Sequence, residues 1–379
     1  ETVSGFTTTG SSILPSAQAL SRGLLFWRSF THWIGGMGVL VFVLAIVPLA
    51  GDRSMHLMRA EVPGPVVGKL VPKLKSTAMI LYGIYLFLSV VQVIFLLAGG
   101  MPVFDSFTVM FGTAGTGGFS VLDAGIAGYG SPYLEWVITI FMLLFGINFN
   151  LFYLILIGKG LQALKSEELR LYLGVVAVSV GAIALDIRPL YDSMSHAIRL
   201  SAFQVASIIS TTGFATADFN LWPEFSRVIL TGLCFLGACA GSTAGGIKVG
   251  RVLILLKTVG HEIKRMIHPR LTKVVMVDQE PVSRETINGV YVYMATYIMI
   301  FALSILLVAV DGFDFESTVT SVVTCLNNVG PGLGIVGPMG NFSGFSNFSK
   351  LVLSCDMLIG RLEIFPIIVL LSPGTWRQK

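Results

Sequence analysis

Residues 207–216 read SIISTTGFAT, and the string has relatives at three other places: ETVSGFTTTGSS at 1–12, FGTAGTGGFS at 111–120 and CLNNVGPGLG at 325–334. Each adjoins a long apolar stretch. Each centres on a glycine that follows small, hydroxyl or amide residues: Thr8-Thr9-Gly10, Thr116-Gly117-Gly118, Thr211-Thr212-Gly213 and Asn328-Val329-Gly330. Separations of 108, 95 and 117 residues divide Gly10, Gly118, Gly213 and Gly330. A motif cycled four times at so regular a period predicts four like units in one polypeptide, arranged about a common axis.

The rest of the sequence says what surrounds that axis. Hydrophobic residues make up 54% of the chain and charged residues 12%, against about a quarter charged in soluble domains. Mean hydropathy is +0.81. The fold class is therefore an all-α integral membrane protein. The net charge of +4 speaks to orientation rather than to nucleic acid. Apolar spans are predicted at about 24–50, 77–98, 133–157, 171–185, 225–256, 290–310 and 351–371. The stretches 51–75, 158–170, 248–285 and 376–379 hold 18 of the 25 Lys and Arg, including Arg53, Arg59, Lys69, Lys73, Arg270, Lys273, Arg377 and Lys379. That side is expected to be cytoplasmic, and the four motifs then lie on the opposite side. Segments 104–111, 195–209 and 315–325 are too short to span and read as re-entrant half-helices.

Span, half-helix, motif, span is thus the repeating order: 1–75 for a first unit truncated at its start, 76–167, 168–285 and 286–379. The chain opens on a motif with no initiator Met, so a preceding helix is expected upstream. Non-helical backbone at membrane depth is tolerated only inside protein or beside a water-filled cavity. Four extended strands there can offer a ring of carbonyl oxygens in place of a cation's hydration shell. No carboxylate lies in the four triads, which suits a monovalent cation.

The span 225–256 is interrupted by GACAGSTAGGIKVG at 237–250. Interior glycine costs a helix about 1 kcal/mol relative to Ala, so Gly241, Gly245 and Gly246 predict a break. The loop, with Ser242, Thr243 and Lys248, is a candidate gate; the competing reading is a small-residue packing surface. Arg361 lies inside the last span and is expected to face the pathway, Glu363 being a poor partner two residues away. Lys248 either touches the pathway or snorkels to the interface. Arg28 and His32 are read as buttresses of the pore loops. Tyr133, Trp136 and Trp222 are read as interface anchors, and Cys234, Cys239, Cys325 and Cys355 as small core residues. Asp105, Asp123, Asp186 and Asp218 are placed in outer loops, where they enrich cations near the mouth. No phosphate loop, HExxH or nucleophile elbow is present, so no enzyme is expected.

The strings SGFTTTGSS at 4–12, FWRSFTHWIGGMG at 26–38, STTGFATADF at 210–219, GACAGSTAGGIKVGR at 237–251, LNNVGPGLG at 326–334 and GRLEIFP at 360–366 resemble the TrkH/KtrB/HKT superfamily of potassium translocation subunits, most closely its TrkH branch. The resemblance covers essentially the whole chain. It implies four membrane–pore–membrane units with pseudo-fourfold symmetry, potassium as the ion at the four triads, and the 237–250 segment as an intramembrane gating loop. It also implies a homodimer in a bacterial inner membrane and a cytosolic TrkA-like ring of the RCK type, which would carry any ATP, ADP or NAD. The alternatives are a sodium- or proton-coupled symporter of a small solute, a KtrB-type sodium-dependent potassium transporter, and a non-conducting structural subunit.

Overall fold

The computed structural model of the chain describes residues 1–46, 74–269 and 274–371. The basic residues expected at Arg53, Arg59, Lys69, Lys73, Arg270, Lys273, Arg377 and Lys379 lie outside them. The described chain opens with α1 (Thr2–Phe6) and α2 (Arg22–Ile46). Then come α3 (Leu74–Ala98), α4 (Val103–Gly115), α5 (Pro132–Phe145), α6 (Phe149–Leu156) and α7 (Gly160–Lys165). Next are α8 (Glu167–Ile187), α9 (Met194–Ile209), α10 (Glu224–Phe235) and α11 (Val249–Ile267). The last group is α12 (Arg284–Val308), α13 (Phe315–Leu326), α14 (Asn347–Arg361) and α15 (Ile364–Leu371). Two two-stranded pieces interrupt the helices. Strands β1 (Leu236–Gly237) and β2 (Ile247–Lys248) run parallel, and β3 (Met276–Val277) and β4 (Glu280–Pro281) form an antiparallel hairpin.

Side-chain oxygens one residue outside the helices fix several of the starts. Ser131 caps α5, Ser193 caps α9, Ser283 caps α12, Asp314 caps α13 and Ser346 caps α14, each accepting a first-turn N–H that the helix itself cannot satisfy. The Ser317 hydroxyl and N–H hold the Asp314 carboxyl below the usual carboxylate range. Among the described residues, Ala78–Ala98, Glu167–Leu190 and Arg284–Asp311 are each long and apolar enough to cross a membrane. Their outer faces carry Phe87, Ile94, Val178, Leu185, Met299 and Leu306, all exposed, while Thr8, Thr116, Thr211 and Asn328 are fully buried. Apolar outside and polar at the centre is the reverse of a soluble fold, and it is the pattern expected where lipid is the solvent.

Four expectations need correction. The stretch 133–157 is not one continuous helix: α5 and α6 meet at 92°, with Gly146 and Asn148 at the break and the Asn148 side chain capping α6. The stretch 351–371 is also broken, because Glu363 takes a left-handed φ of 58° between α14 and α15. Trp222 is buried and donates to the Tyr191 hydroxyl at 3.0 Å, so it packs inside rather than anchoring at the interface, unlike the exposed Tyr133 and Trp136. Cys234, Cys239 and Cys325 are buried as expected, but Cys355 is exposed.

Candidate ion pathway

Four short helices, α1, α4, α9 and α13, end in the same way. One residue after or near each C-terminus stands in the left-handed region: Thr8, Thr116, Thr211 and Asn328, at φ 55°, 56°, 56° and 56°. The next residue then donates its N–H to a carbonyl five positions back: Thr9 to Ser4 at 2.9 Å, Gly117 to Gly112 at 2.8 Å, Thr212 to Ser207 at 2.8 Å and Val329 to Thr324 at 2.9 Å. This is the Schellman termination, which normally places glycine in the left-handed position. Three threonines and an asparagine hold it here. A β-branched residue there is a genuine outlier, and such strain at three of the four matching sites points to a functional constraint on the chain that follows.

That chain closes a ring. Gly10, Gly118, Gly213 and Gly330 all have positive φ. A Cβ on Gly10 would fall on the Gly117 carbonyl oxygen, one on Gly118 on the Thr212 oxygen, and one on Gly213 on the Val329 oxygen; on Gly330 it would stand 2.7 Å from the Thr9 oxygen. Each strand therefore lies against the next, in the order one, two, three, four and back to one. The four glycines line a single cavity together with Ser11, Arg28 and Asp123. Asp123 is the one of the four expected acids on that wall, and it also accepts from Ser16 Oγ and Ala17 N. Asp105 instead accepts from Tyr129, Asp186 from Ser226, and Asp218 from Asn220 N.

Arg28 and His32 on α2 brace the ring from behind. His32 Nδ1 lies 2.9 Å from the Gly5 oxygen and its Nε2 accepts from Phe119 N at 3.3 Å. One neutral tautomer, with the proton on Nδ1, satisfies both. The ring thus ties the first re-entrant helix to the chain after the second triad. Arg28 pairs with Glu1 at 2.7 Å and sits 3.4 Å over the Phe119 ring.

The helix expected to break does so after Phe235, and residues 238–246 return beneath the ring before α11 begins. Gly241 and Gly246 take left-handed φ values of 70° and 66°. The loop contacts the second, third and fourth units directly, and Arg361 links it to the first. Thr116 Oγ1 lies 2.8 Å from the Thr243 oxygen, and Gly245 N donates to Thr211 Oγ1 at 2.7 Å. A Cβ on Gly245 would stand 2.6 Å from the Asn327 oxygen. Arg361 donates to the Thr243 oxygen at 2.8 Å and, on α2, to the oxygens of Gly35 and Gly36, the latter at 2.6 Å. Lys248 does not snorkel: it is fully buried and its Nζ turns back to the oxygens of Ala244 and Gly245. Glu363 pairs with Arg251, not with Arg361.

The kink between α5 and α6 belongs to this arrangement. It frees the oxygens of Phe145 and Gly146 and the N–H of Phe149. Thr243 donates to the first and Cys239 to the second, and Phe149 N donates to Gly241 O at 3.0 Å. Buried backbone groups must find partners, and the broken helix and the docked loop supply them to each other. Sequence reasoning missed this kink; its one mark was the Gly146-Ile147-Asn148 triplet. It also missed Glu168, whose Oε1 accepts from Ala240 N and Gly250 N on either side of the loop. Among the described residues, no group of three or more His, Cys, Asp or Glu is placed to hold a metal.

A family model described as a TrkH cation transport protein matches residues 1–177 and 190–376. The chain belongs to the TrkH family. Over 382 residues it is 37% identical to the Trk system potassium uptake protein TrkH of Salmonella typhimurium, a match that covers all of this chain and 79% of that protein. It is 34% identical to the Trk system potassium uptake protein TrkG of Escherichia coli K12, across 78% of that protein. The crystal structure of the potassium transporter TrkH from Vibrio parahaemolyticus superposes with a TM-score of 0.86 at 32% identity, covering 99% of this chain and 77% of that one. The TrkH architecture is thus the one described above, all-α and multi-span, with four membrane–pore–membrane units around a central pore. A TrkH-family protein is a transport protein, not an enzyme.

Proposed function

We propose that the chain conducts potassium across a bacterial inner membrane, through a filter built from Thr8-Thr9-Gly10, Thr116-Gly117-Gly118, Thr211-Thr212-Gly213 and Asn328-Val329-Gly330. The observation that carries the reading is the cyclic contact of each filter glycine with the carbonyl of the next strand. Peptide oxygens so gathered replace water around a cation of one size. Its relatives are named potassium uptake proteins, which supplies the ion. The units are assigned as 1–75, 76–167, 168–285 and 286–379, since α3, α8 and α12 begin near those divisions. The filter mouth faces the periplasm, because the basic connections favour the cytoplasm.

Residues 241–246, with Lys248 and Arg361, form the gate in this reading. The loop hydrogen-bonds the threonines at the inner end of two filter strands, so an ion leaving the filter meets it at once. Arg361 adds a fixed positive charge beside the path and clamps Thr243. Arg361→Ala is expected to raise rubidium influx severalfold in proteoliposomes; a folded variant that conducts more slowly contradicts the barrier role. The chain works as a homodimer, and a TrkA-like cytosolic ring that binds ATP, ADP or NAD sets the loop position. The protein itself needs no cofactor.

Radioactive rubidium uptake into proteoliposomes, with sodium and lithium as competitors, tests the function. Uptake that follows the rubidium gradient, is blocked by potassium and is spared by lithium is expected. Uptake that requires a co-transported solute indicates a symporter, and dependence on added sodium indicates the KtrB type.

A further inference from the structure

We propose that Glu168 is the latch of the intramembrane loop: a positioning residue whose carboxylate holds both ends of the loop in its docked form. The inference rests on the reading of that loop as the gate. Glu168 lies in the first turn of α8, and its Oε1 alone accepts from Ala240 N at 2.7 Å and from Gly250 N at 2.9 Å. Ala240 stands just before residues 241–246 and Gly250 shortly after them, so one oxygen atom clasps the two limbs.

Both donors need this partner. Gly250 is the second residue of α11, so its N–H is one of those a helix start leaves unsatisfied, and the positive end of the helix dipole favours a carboxylate there. Ala240 lost its helical acceptor when α10 ended at Phe235. Gly250 leaves room for the approach: a Cβ on it would stand 2.8 Å from Oε1, and the carboxylate would have to shift. Removing the carboxylate leaves two part-buried N–H groups without this acceptor in the docked form, which penalises that form and not the undocked one.

The preceding residue extends the clasp toward the β3–β4 hairpin. Glu167 pairs with Lys257 on α11, and its N–H donates to Asp278 Oδ1 at 2.7 Å in the hairpin turn. Lys257 also donates to the Met276 oxygen at 2.7 Å. Two successive residues of α8 therefore join the hairpin, α11 and the loop. Any force that shifts α11 or the hairpin moves Oε1 relative to one of its two donors, and the latch opens.

The test is rubidium influx into proteoliposomes holding the purified protein without partners, for Glu168→Ala, Glu168→Gln, a deletion of residues 241–246, and Glu168→Ala combined with the deletion. Glu168→Ala is expected to raise influx about tenfold, the scale of one charge-assisted hydrogen bond. Glu168→Gln keeps an acceptor oxygen but loses the charge, and is expected to fall between the parent and Glu168→Ala. In the deletion background Glu168→Ala adds nothing, and in both backgrounds the preference for rubidium over sodium is unchanged because the filter is untouched. Should Glu168→Ala not fold, Gly250→Ala carries the same expectation, since its Cβ displaces the carboxylate without removing its charge. If the deletion raises influx while monodisperse Glu168→Ala or Gly250→Ala does not, the latch is wrong and the gate stands. If the deletion itself changes nothing, the gate reading falls and the latch with it.

Discussion

Deleting residues 241–246 raises the basal rubidium influx of the reconstituted protein, by up to about a hundredfold on the following estimate. The docked loop is held by Thr116 and Thr211 from the filter side, by Arg361 at the Thr243 oxygen, by Lys248 at two loop carbonyls, and by the kinked backbone at Phe145. At about 1 kcal/mol net for each such bond, their sum reaches several kcal/mol. A bias of that size keeps the open form at around one per cent or less, so removing the loop exposes nearly all of the latent conductance. The measurement is initial-rate influx into vesicles holding equal amounts of monodisperse protein. An influx equal to that of the parent means the loop does not obstruct the path.

Replacing Gly118 by Ser is expected to cut the preference for rubidium over sodium by about tenfold or more. Gly118 has φ +75°, where an L side chain costs roughly 1–2 kcal/mol. Its Cβ would also land on the Thr212 carbonyl oxygen of the third strand. The strand has to move or the oxygen has to turn, and either change alters the cage that replaces the ion's water. One kcal/mol of lost discrimination is about fivefold and 1.4 kcal/mol is about tenfold, so a modest distortion suffices. Gly330→Ser is expected to act in the same direction but less, since its Cβ meets the Thr9 oxygen at 2.7 Å. Gly174→Ser serves as the control, because nothing lies within 4 Å of a Cβ there. Undiminished discrimination in Gly118→Ser removes that strand from the filter.

The fourfold order was legible because each unit repeats its own punctuation: a short apolar segment, small, hydroxyl or amide residues, a glycine. The interrupted span 225–256 was legible for a similar reason, since Gly241, Gly245 and Gly246 fall within six residues in an otherwise apolar run. The kink between α5 and α6 was not. Gly146 alone is tolerable in a helix, and the partners that stabilise the break, Cys239, Gly241 and Thr243, lie about a hundred residues away in sequence. Arg361 carried half of its meaning in the chain. Glu363, two residues on, was a poor partner for it, and acceptors such as the carbonyls of Gly35, Gly36 and Thr243 leave no mark on a sequence. Glu168 reads as an ordinary acid in a first helical turn until the fold brings Ala240 and Gly250 to it. Cys355 and Trp222 were misread because residue type sets only an average burial, and the facing of the helix or loop decides the particular case.

The central claim is that four strands of one polypeptide dehydrate an alkali cation on a shared axis. Anomalous scattering from crystals grown in rubidium tests it directly. The account predicts a short column of rubidium peaks ringed by the peptide oxygens of Thr9, Gly117, Thr212 and Val329. Rubidium bound elsewhere, or an axis with no peak between those oxygens, contradicts it.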